Sequence, residues 1–162
     1  GHTLVGCIDD RQIEWLGERR WHLGAFLERG GGRLLVAEGA SLCPTGPDNL
    51  TIDHEQVAAL LRELLNATPR PTALFIPGDR LCIAVYSILA EMGLKPQEDI
   101  VVLSCNNEMP FLTAMVPRPA TIGMNAEAIG RRAAETAIWR LDHPDDPPLR
   151  ILVRPELVLP PQ

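Results

Sequence analysis

The chain has 162 residues, 46% of them hydrophobic, and a formal net charge of −6 at pH 7. This length and composition suffice for one domain with a buried core, and they exclude a disordered or fibrous protein. Direct DNA binding is not expected, because nucleic-acid binders cluster basic residues against phosphates and the densest basic pairs here are only Arg19-Arg20 and Arg131-Arg132. No apolar run reaches membrane-spanning length.

The sequence also lacks the usual marks of metal binding, export and catalysis. Cys7, Cys43, Cys82 and Cys105 form no CxxC pair, and no histidine lies at metal-ligand spacing. We interpret them as reduced structural thiols of a cytoplasmic protein and expect neither a metal nor another cofactor. No charged leader precedes an apolar segment. HExxH, GxSxG, P-loop and dinucleotide motifs are absent, so we do not expect an enzyme.

The first half of the chain predicts alternating strands and helices. Residues 3–8 are nearly all apolar, as in a strand buried on both faces of a parallel sheet. Residues 13–29 show leucines at helical spacing, and the glycines at 30–32 indicate a helix stop before a strand at 33–37. A Pro/Gly-rich loop over 41–50 leads to a second helix, for which Asp53 is the predicted N-cap and Gln56 its reciprocal partner.

The second half continues the alternation. The pattern predicts a strand at 72–76, a helix at about 80–92, a strand at 100–103, a Pro-rich turn, a helix at about 126–141, a loop at 143–148 and an extended piece at 151–159. The helix at 80–92 has two apolar stripes, so we expect it to be buried on two sides. Strands that alternate with helices predict parallel pairing and hence a doubly wound α/β sheet flanked by helices.

Ligands of open parallel sheets bind beyond the carboxyl ends of the strands. The predicted strand ends are Asp9-Asp10, Glu38-Gly39, Gly78-Asp79 and Asn106-Asn107-Glu108. Asp79 directly precedes an apolar helical pattern, so we interpret it first as a helix N-cap and second as a ligand contact. Asn106 and Asn107 offer donors and acceptors to sugar hydroxyls or amides. Arg19 is able to aim a planar fork of donors at the same crevice, with a solvated helix face as the alternative.

Five motifs occur in a characteristic order along the chain. They are Gly1-His2 before the first strand, Glu18-Arg19 followed by Leu23 and Phe26-Leu27, Arg70-Pro71-Thr72-Ala73, GLKPQEDI at 93–100, and Pro117-Arg118-Pro119-Ala120-Thr121-Ile122. In this order they resemble the C-terminal half of the LacI/GalR (lactose-repressor) family of bacterial transcription regulators. His22 and Leu23 depart from the glycine and aromatic residue that are usual in that family.

The resemblance implies a periplasmic-binding-protein-like domain that senses a small molecule, a sugar or sugar derivative, and signals to a DNA-binding headpiece. Residues 1–162 would form one C-terminal effector-binding subdomain of a longer regulator, without the headpiece and the first half of the N-terminal subdomain. DNA would be bound only through that missing headpiece, and no membrane contact is implied. The alternative is a periplasmic solute-binding protein of a sugar transport system, which shares the fold but needs export.

The resemblance also implies site residues. The family's effector-binding positions map onto Arg19, which keeps the family's arginine, onto Gly78, where Asn is common, and onto Asn106, where Asp is common. Loss of a carboxylate at 106 makes a plain hexose less secure as effector and leaves a derivatised or anionic sugar as an alternative. With the strand ends included, the candidate effector site is Arg19, Gly78, Asp79, Asn106, Asn107 and Asp10.

A homodimer is implied as well. The family's dimer contacts map onto Ile83, Tyr86 and Met115, which agrees with the second stripe of the helix at 80–92, and core packing is the competing interpretation of Ile83. In the family, the helix that corresponds to 126–141 packs on the N-terminal subdomain. Since that subdomain is absent from the chain, we expect this helix to dock on a neighbouring chain or to reposition.

Overall fold

The computed structural model describes residues 1–42 and 51–160. Most of the predicted loop at 41–50, together with Cys43, therefore lies outside the described residues. The elements are β1 Leu4–Asp10, α1 Glu14–Arg29, β2 Arg33–Gly39, α2 His54–Asn66, β3 Ala73–Phe75, α3 Asp79–Glu91, β4 Val101–Asn106, α4 Met109–Leu112, β5 Ala120–Gly123, α5 Ala126–Asp142 and β6 Glu156–Val158. No helix among these residues is long and apolar enough to cross a membrane.

The strands form one six-stranded sheet in the order β2-β1-β3-β4-β5-β6. The first five strands are parallel, which confirms the predicted α/β architecture. The edge strand β6 runs antiparallel to β5, so the expectation of parallel pairing is wrong at that edge. The segment predicted as a Pro-rich turn contains two further elements, α4 and β5. The sequence does not predict them because both are too short to give a periodic signal.

Apolar side chains pack on both faces of the sheet, and helices cover the two faces unequally. On one face, α2 and α3 bring Leu61 and Val85 onto a large core that includes Ile8 of β1. On the other face, Cys7, Phe75 and Cys105 form a smaller cluster, against which Leu23 of α1 packs. The neighbours in sequence, Cys7 and Ile8, thus lie on opposite faces, as the alternation of a strand requires.

Local signals set the ends of the first two helices. The amide N–H of Gly32 donates to the carbonyl of Leu27 at 2.8 Å while Gly31 adopts a φ of 74°, which confirms the glycine stop after α1. Asp53 caps α2 by accepting from the backbone N–H of Gln56 at 3.0 Å. The Gln56 side chain donates back to Asp53 Oδ2 at 3.2 Å and also binds the backbone of Ala40. The backbone N–H of Asp53 donates to the carbonyl of Leu42, so the reciprocal contact is made with the side chain of Asp53 and not with its backbone.

The helix α3 is buried on two sides, as its two stripes predict. Much of that burial is internal to the chain: Tyr86 is 7% and Met115 3% exposed, and both belong to the larger core. The Tyr86 hydroxyl also accepts from the Gln97 side chain at 2.9 Å. Of the three residues assigned to a dimer contact, only Ile83 is partly exposed, because Tyr86 and Met115 are buried within their own chain. The dimer contact stays a prediction.

The helix α5 buries none of its residues within the chain. Its Ile129, Ile138 and Leu141 side chains are exposed, as are several apolar side chains of the segment that follows. The expected docking of α5 on a second chain is not tested by a single chain and stays a prediction.

The three described cysteines, Cys7, Cys82 and Cys105, are free and buried. Burial raises the pKa of the Cys7 thiol to about 12 and also raises the pKa of the Cys82 and Cys105 thiols, so almost no thiolate forms near neutral pH.

We predict that iodoacetamide at pH 7.5 leaves these thiols unmodified in the native protein and alkylates them in guanidinium chloride, as measured by peptide mass spectrometry. Equal rates in both states would contradict their burial.

Candidate effector site

A cavity of about 450 Å³ lies at the carboxyl edge of the sheet, a size typical of small-molecule sites. Its wall is formed by the ends of β1 and β4, the first turns of α1 and α3, and α4. The lining residues are Asp10, Ile13, Trp15, Leu16, Leu42, Pro77, Gly78, Arg80, Leu81, Asn106, Glu108 and Phe111. Three predicted site residues, Asp10, Gly78 and Asn106, are therefore on the wall. A side chain at Gly78 would extend into open space.

Arg19 of α1 does not line this cavity but a neighbouring one of about 620 Å³, and Trp15 lines both. It contacts the wall of the first cavity from behind Pro77 and Asn106. Its Nη1 donates to the carbonyl of Pro77 at 2.8 Å and to Oδ1 of Asn106 at 3.1 Å. Its guanidinium carbon lies 4.4 Å from the ring centroid of Trp15, within the range of a cation–π contact. Arg19 is half-buried and held on two sides, which contradicts the alternative of a freely solvated arginine. The structure thus brings Arg19 and Asn106 into direct contact across 87 residues of sequence.

Asp79 is fully buried and does not line the cavity. Its Oδ1 accepts from the hydroxyls of Ser104 and, at 3.0 Å, of Thr121, while its Oδ2 accepts from the backbone N–H of Glu108 at 2.6 Å. The N-cap of α3 is Gly78, with no side-chain hydrogen bond, so the prediction that Asp79 caps the helix is wrong. The carboxylate points into the sheet because the buried hydroxyls of β4 and β5 need an acceptor there.

The last residue of β4 and the residue that follows it both have a positive φ. Asn106 has a φ of 109° and Asn107 a φ of 62°, a conformation that asparagine tolerates better than most side chains. Asn107 donates its backbone N–H to the hydroxyl of Thr121 at 3.3 Å. Its side chain does not line the cavity, and its buried Oδ1 has no hydrogen-bond partner among residues 1–42 and 51–160. Asn106 alone of the pair presents its amide to the cavity.

Asp10 holds the backbone that follows β1 and β2, at another part of the cavity wall. Its Oδ1 accepts from the backbone N–H groups of Gln12 and Ser41, both at 3.1 Å, and its Oδ2 accepts from that of Leu42 at 2.7 Å. With both oxygens occupied in this way, Asp10 is better placed to hold the cavity wall than to bind a ligand.

Arg20 of α1 forms ion pairs just outside the cavity wall. Arg20 Nη1 contacts Asp9 Oδ2 at 2.7 Å and also pairs with Glu38. Burial raises the pKa of the Asp9 carboxyl, an effect that the Arg20 guanidinium opposes. The structure describes no cluster of three or more His, Cys, Asp or Glu side chains able to hold a metal ion in residues 1–42 and 51–160.

Residues 1–159 match the family model of the periplasmic binding protein-like domain. The chain belongs to this family. Within it, the curated relatives confirm the resemblance to LacI/GalR regulators: the chain is 28% identical to the ribose operon repressor of Escherichia coli (strain K12) over 160 residues, which is 98% of this chain and 46% of that protein. The chain thus spans between about a third and a half of the length of the curated relatives that it matches.

Solved structures of LacI-family regulators share the fold of this effector-binding domain. A regulator from Bifidobacterium animalis subsp. lactis has a TM-score of 0.79 at 20% identity, over 99% of this chain and 55% of the other. A regulator from Enterococcus faecium, solved with bound ribose, has a TM-score of 0.78 at 16% identity, over 99% of this chain and 56% of the other. Identities this low establish a common fold and nothing finer.

Nine of the twelve lining residues were not among the predicted site residues, and three of these nine offer aromatic or acidic groups to a ligand. Trp15 and Phe111 supply the aromatic walls, and Glu108 supplies a carboxylate at the rim. A signal for Trp15 exists in the sequence, because residues four apart on a helix are neighbours and Trp15 precedes Arg19 by that spacing. Phe111 has no such signal, since its position depends on the short helix α4.

The structural role of Asp79 is tested by measuring the free energy of unfolding. Asp79→Ala removes the acceptor for two hydroxyls and one backbone N–H, and we predict a loss of about 3 kcal/mol in the free energy of unfolding. Urea denaturation measures it, with Asp145→Ala in the exposed loop after α5 as the matched control. A loss below about 0.5 kcal/mol for Asp79→Ala, as for a typical surface substitution, would contradict the assignment.

Proposed function

We propose that this domain binds a small polyhydroxylated molecule, a sugar or sugar derivative, and thereby controls DNA binding by a headpiece outside the chain. The observation that carries the proposal is the Arg19 guanidinium, which is held by Trp15, Pro77 and Asn106, three residues of the cavity wall, and which itself lines the neighbouring cavity. A planar cation in fixed orientation presents its remaining donors to ligand oxygens at little entropic cost.

The composition of the cavity supports a ring-shaped ligand. Trp15 and Phe111 offer flat apolar surfaces, while Asn106 and Glu108 offer hydrogen bonds. The apolar face of a sugar ring packs on aromatic side chains, and its hydroxyls donate and accept in turn. This combination of groups is suited to binding a sugar ring.

The relatives favour a regulator over a transport protein. The matched curated proteins include a ribose operon repressor and an HTH-type transcriptional repressor, PurR, by name, and a regulator solved with bound ribose shares the fold. We therefore propose a cytoplasmic regulator, with Ile83 as the exposed part of a homodimer contact. Control of DNA requires that the effector bind two states of the full protein with different affinities.

The ligand half of the proposal is tested by Arg19→Ala in the full-length gene product. We expect isothermal titration calorimetry with a panel of pentoses and hexoses, D-ribose included, to find a sugar that binds the wild type. Arg19→Ala is expected to weaken that binding at least about tenfold, because a charge-assisted hydrogen bond is worth roughly 1.5 to 3 kcal/mol. Arg62→Ala, an exposed residue of α2, is the control. Equal affinities of wild type and Arg19→Ala would exclude Arg19 from the site.

The regulatory half is tested by DNA binding. We expect the full-length gene product to bind DNA from upstream of its own gene in a fluorescence anisotropy assay, and the sugar found above to shift that affinity at least about fivefold, as coupling free energies of 1 to 3 kcal/mol imply. DNA affinity that is the same with and without the sugar would contradict a regulator controlled through this site.

A further inference from the structure

Glu108 lies at the rim of the cavity, two residues beyond the strand end that carries Asn106. Its Oε2 accepts from the Asn106 side-chain Nδ2 at 3.2 Å, and its side chain is exposed. Its Oε1 accepts no hydrogen bond from the part of the chain that the structure describes. The Glu108 carboxylate thus lines the cavity beside Asn106 with hydrogen-bonding capacity left over.

We propose that Glu108 is the effector-binding carboxylate of this domain, and that it selects a neutral ligand with adjacent hydroxyl groups over an anionic one. The inference rests on the proposed function and adds to it the residue that accepts the ligand's hydroxyl protons and the charge class of the ligand.

The backbone of Glu108 is fixed on both sides, so its side chain begins from a defined point. Its N–H donates to the buried Asp79 carboxylate at 2.6 Å, and its carbonyl accepts from Phe111 and Leu112 at 3.0 and 3.1 Å. Leu112 is fully buried and anchors α4 in the larger core. An exposed glutamate on an ordinary surface loop would lack these supports. Such preorganisation reduces the entropy that a ligand has to overcome on binding.

Asn106 connects Glu108 to Arg19 as a neutral bridge. Its amide oxygen accepts from Arg19 and its amide nitrogen donates to Glu108. An aspartate at 106 would still pair with Arg19, but it would place two carboxylates at hydrogen-bonding distance, where like charges disfavour each other. An asparagine at 106 and a glutamate at 108 are therefore matched, and the acceptor for ligand hydroxyls is found at 108.

The charges around the cavity favour a neutral ligand. The lining carries Arg80, Asp10 and Glu108, so it has no excess of positive charge to attract an anion. Arg19 adds a positive charge only from behind the wall, where it is bonded to Asn106. Both oxygens of Asp10 are occupied by backbone N–H groups, which leaves Glu108 as the acceptor that faces the ligand. Adjacent hydroxyls satisfy a carboxylate in pairs, whereas a phosphate or carboxylate group beside Glu108 is repelled.

The experiment compares neutral and anionic sugars of the same skeleton in the full-length gene product. The probes are D-ribose with D-ribose 5-phosphate and D-glucose with D-gluconate, and calorimetry gives each dissociation constant. We expect the neutral member of at least one pair to bind more tightly. Glu108→Gln is expected to weaken that binding at least tenfold and to narrow the preference over the anionic member. Glu63→Gln, exposed on α2, is the matched control and is expected to change neither.

A pair of further variants moves the carboxylate by two positions. Asn106→Asp alone is expected to weaken binding of the neutral sugar, because the new carboxylate faces Glu108. The double variant Asn106→Asp/Glu108→Gln removes that repulsion and is expected to recover at least half of the binding free energy lost in Glu108→Gln. Thermal unfolding of each variant checks that the loop stays folded, and recovery in the double variant cannot arise from misfolding.

The outcomes separate this inference from the proposed function. Tighter binding of the anionic member by the wild type, or neutral-sugar binding by Glu108→Gln within twofold of the wild type, overturns the role of Glu108. If Arg19→Ala loses binding in that case, the proposed function stands without it. If no probe of either charge binds, the sugar-sensing function fails, and the role of Glu108 fails with it.

Discussion

The carboxylate of Asp79 is the interaction on which the cavity edge depends. A carboxylate taken out of water is costly unless hydrogen bonds replace its hydration, and here two hydroxyls and one backbone N–H do so. Those donors belong to β4, β5 and the loop that follows β4. One buried side chain at the start of α3 therefore joins three separate segments and sets where Asn106 and Glu108 stand relative to Arg19.

Much of the fold is predictable because burial on a sheet produces long periodic signals. The helices α2, α3 and α5 and the strands β1 to β4 follow from apolar spacing and from glycine and proline punctuation. The helix α4 and the strand β5 do not, since each has only four residues and lies in a segment predicted as a turn. The strand β6 lies inside a predicted extended piece, but its pairing depends on its neighbours. The antiparallel edge is likewise decided by where the chain returns after α5, which local sequence does not specify.

The site is less predictable than the fold, and its residues explain why. Strand ends point to the correct edge of the sheet, so Asp10, Gly78 and Asn106 are found on the wall. Asp79 has the sequence context of a helix cap. The hydroxyls that donate to its carboxylate, however, belong to Ser104 and Thr121, which lie 25 and 42 residues away in the sequence. Sequence proximity carries no information on such partners. Tyr86 likewise has the stripe position of a contact surface but is buried in its own chain.

The left-handed backbone of Asn106 has a consequence for redesigning the sensor. Few side chains other than glycine, asparagine and aspartate adopt that conformation without strain, so a library at position 106 would consist largely of poorly folded members. Glu108, with a φ of −87° and a ψ of 96°, is in an extended conformation open to most residues. Changing the lining of this cavity is therefore best begun at position 108, where chemical diversity carries no backbone penalty.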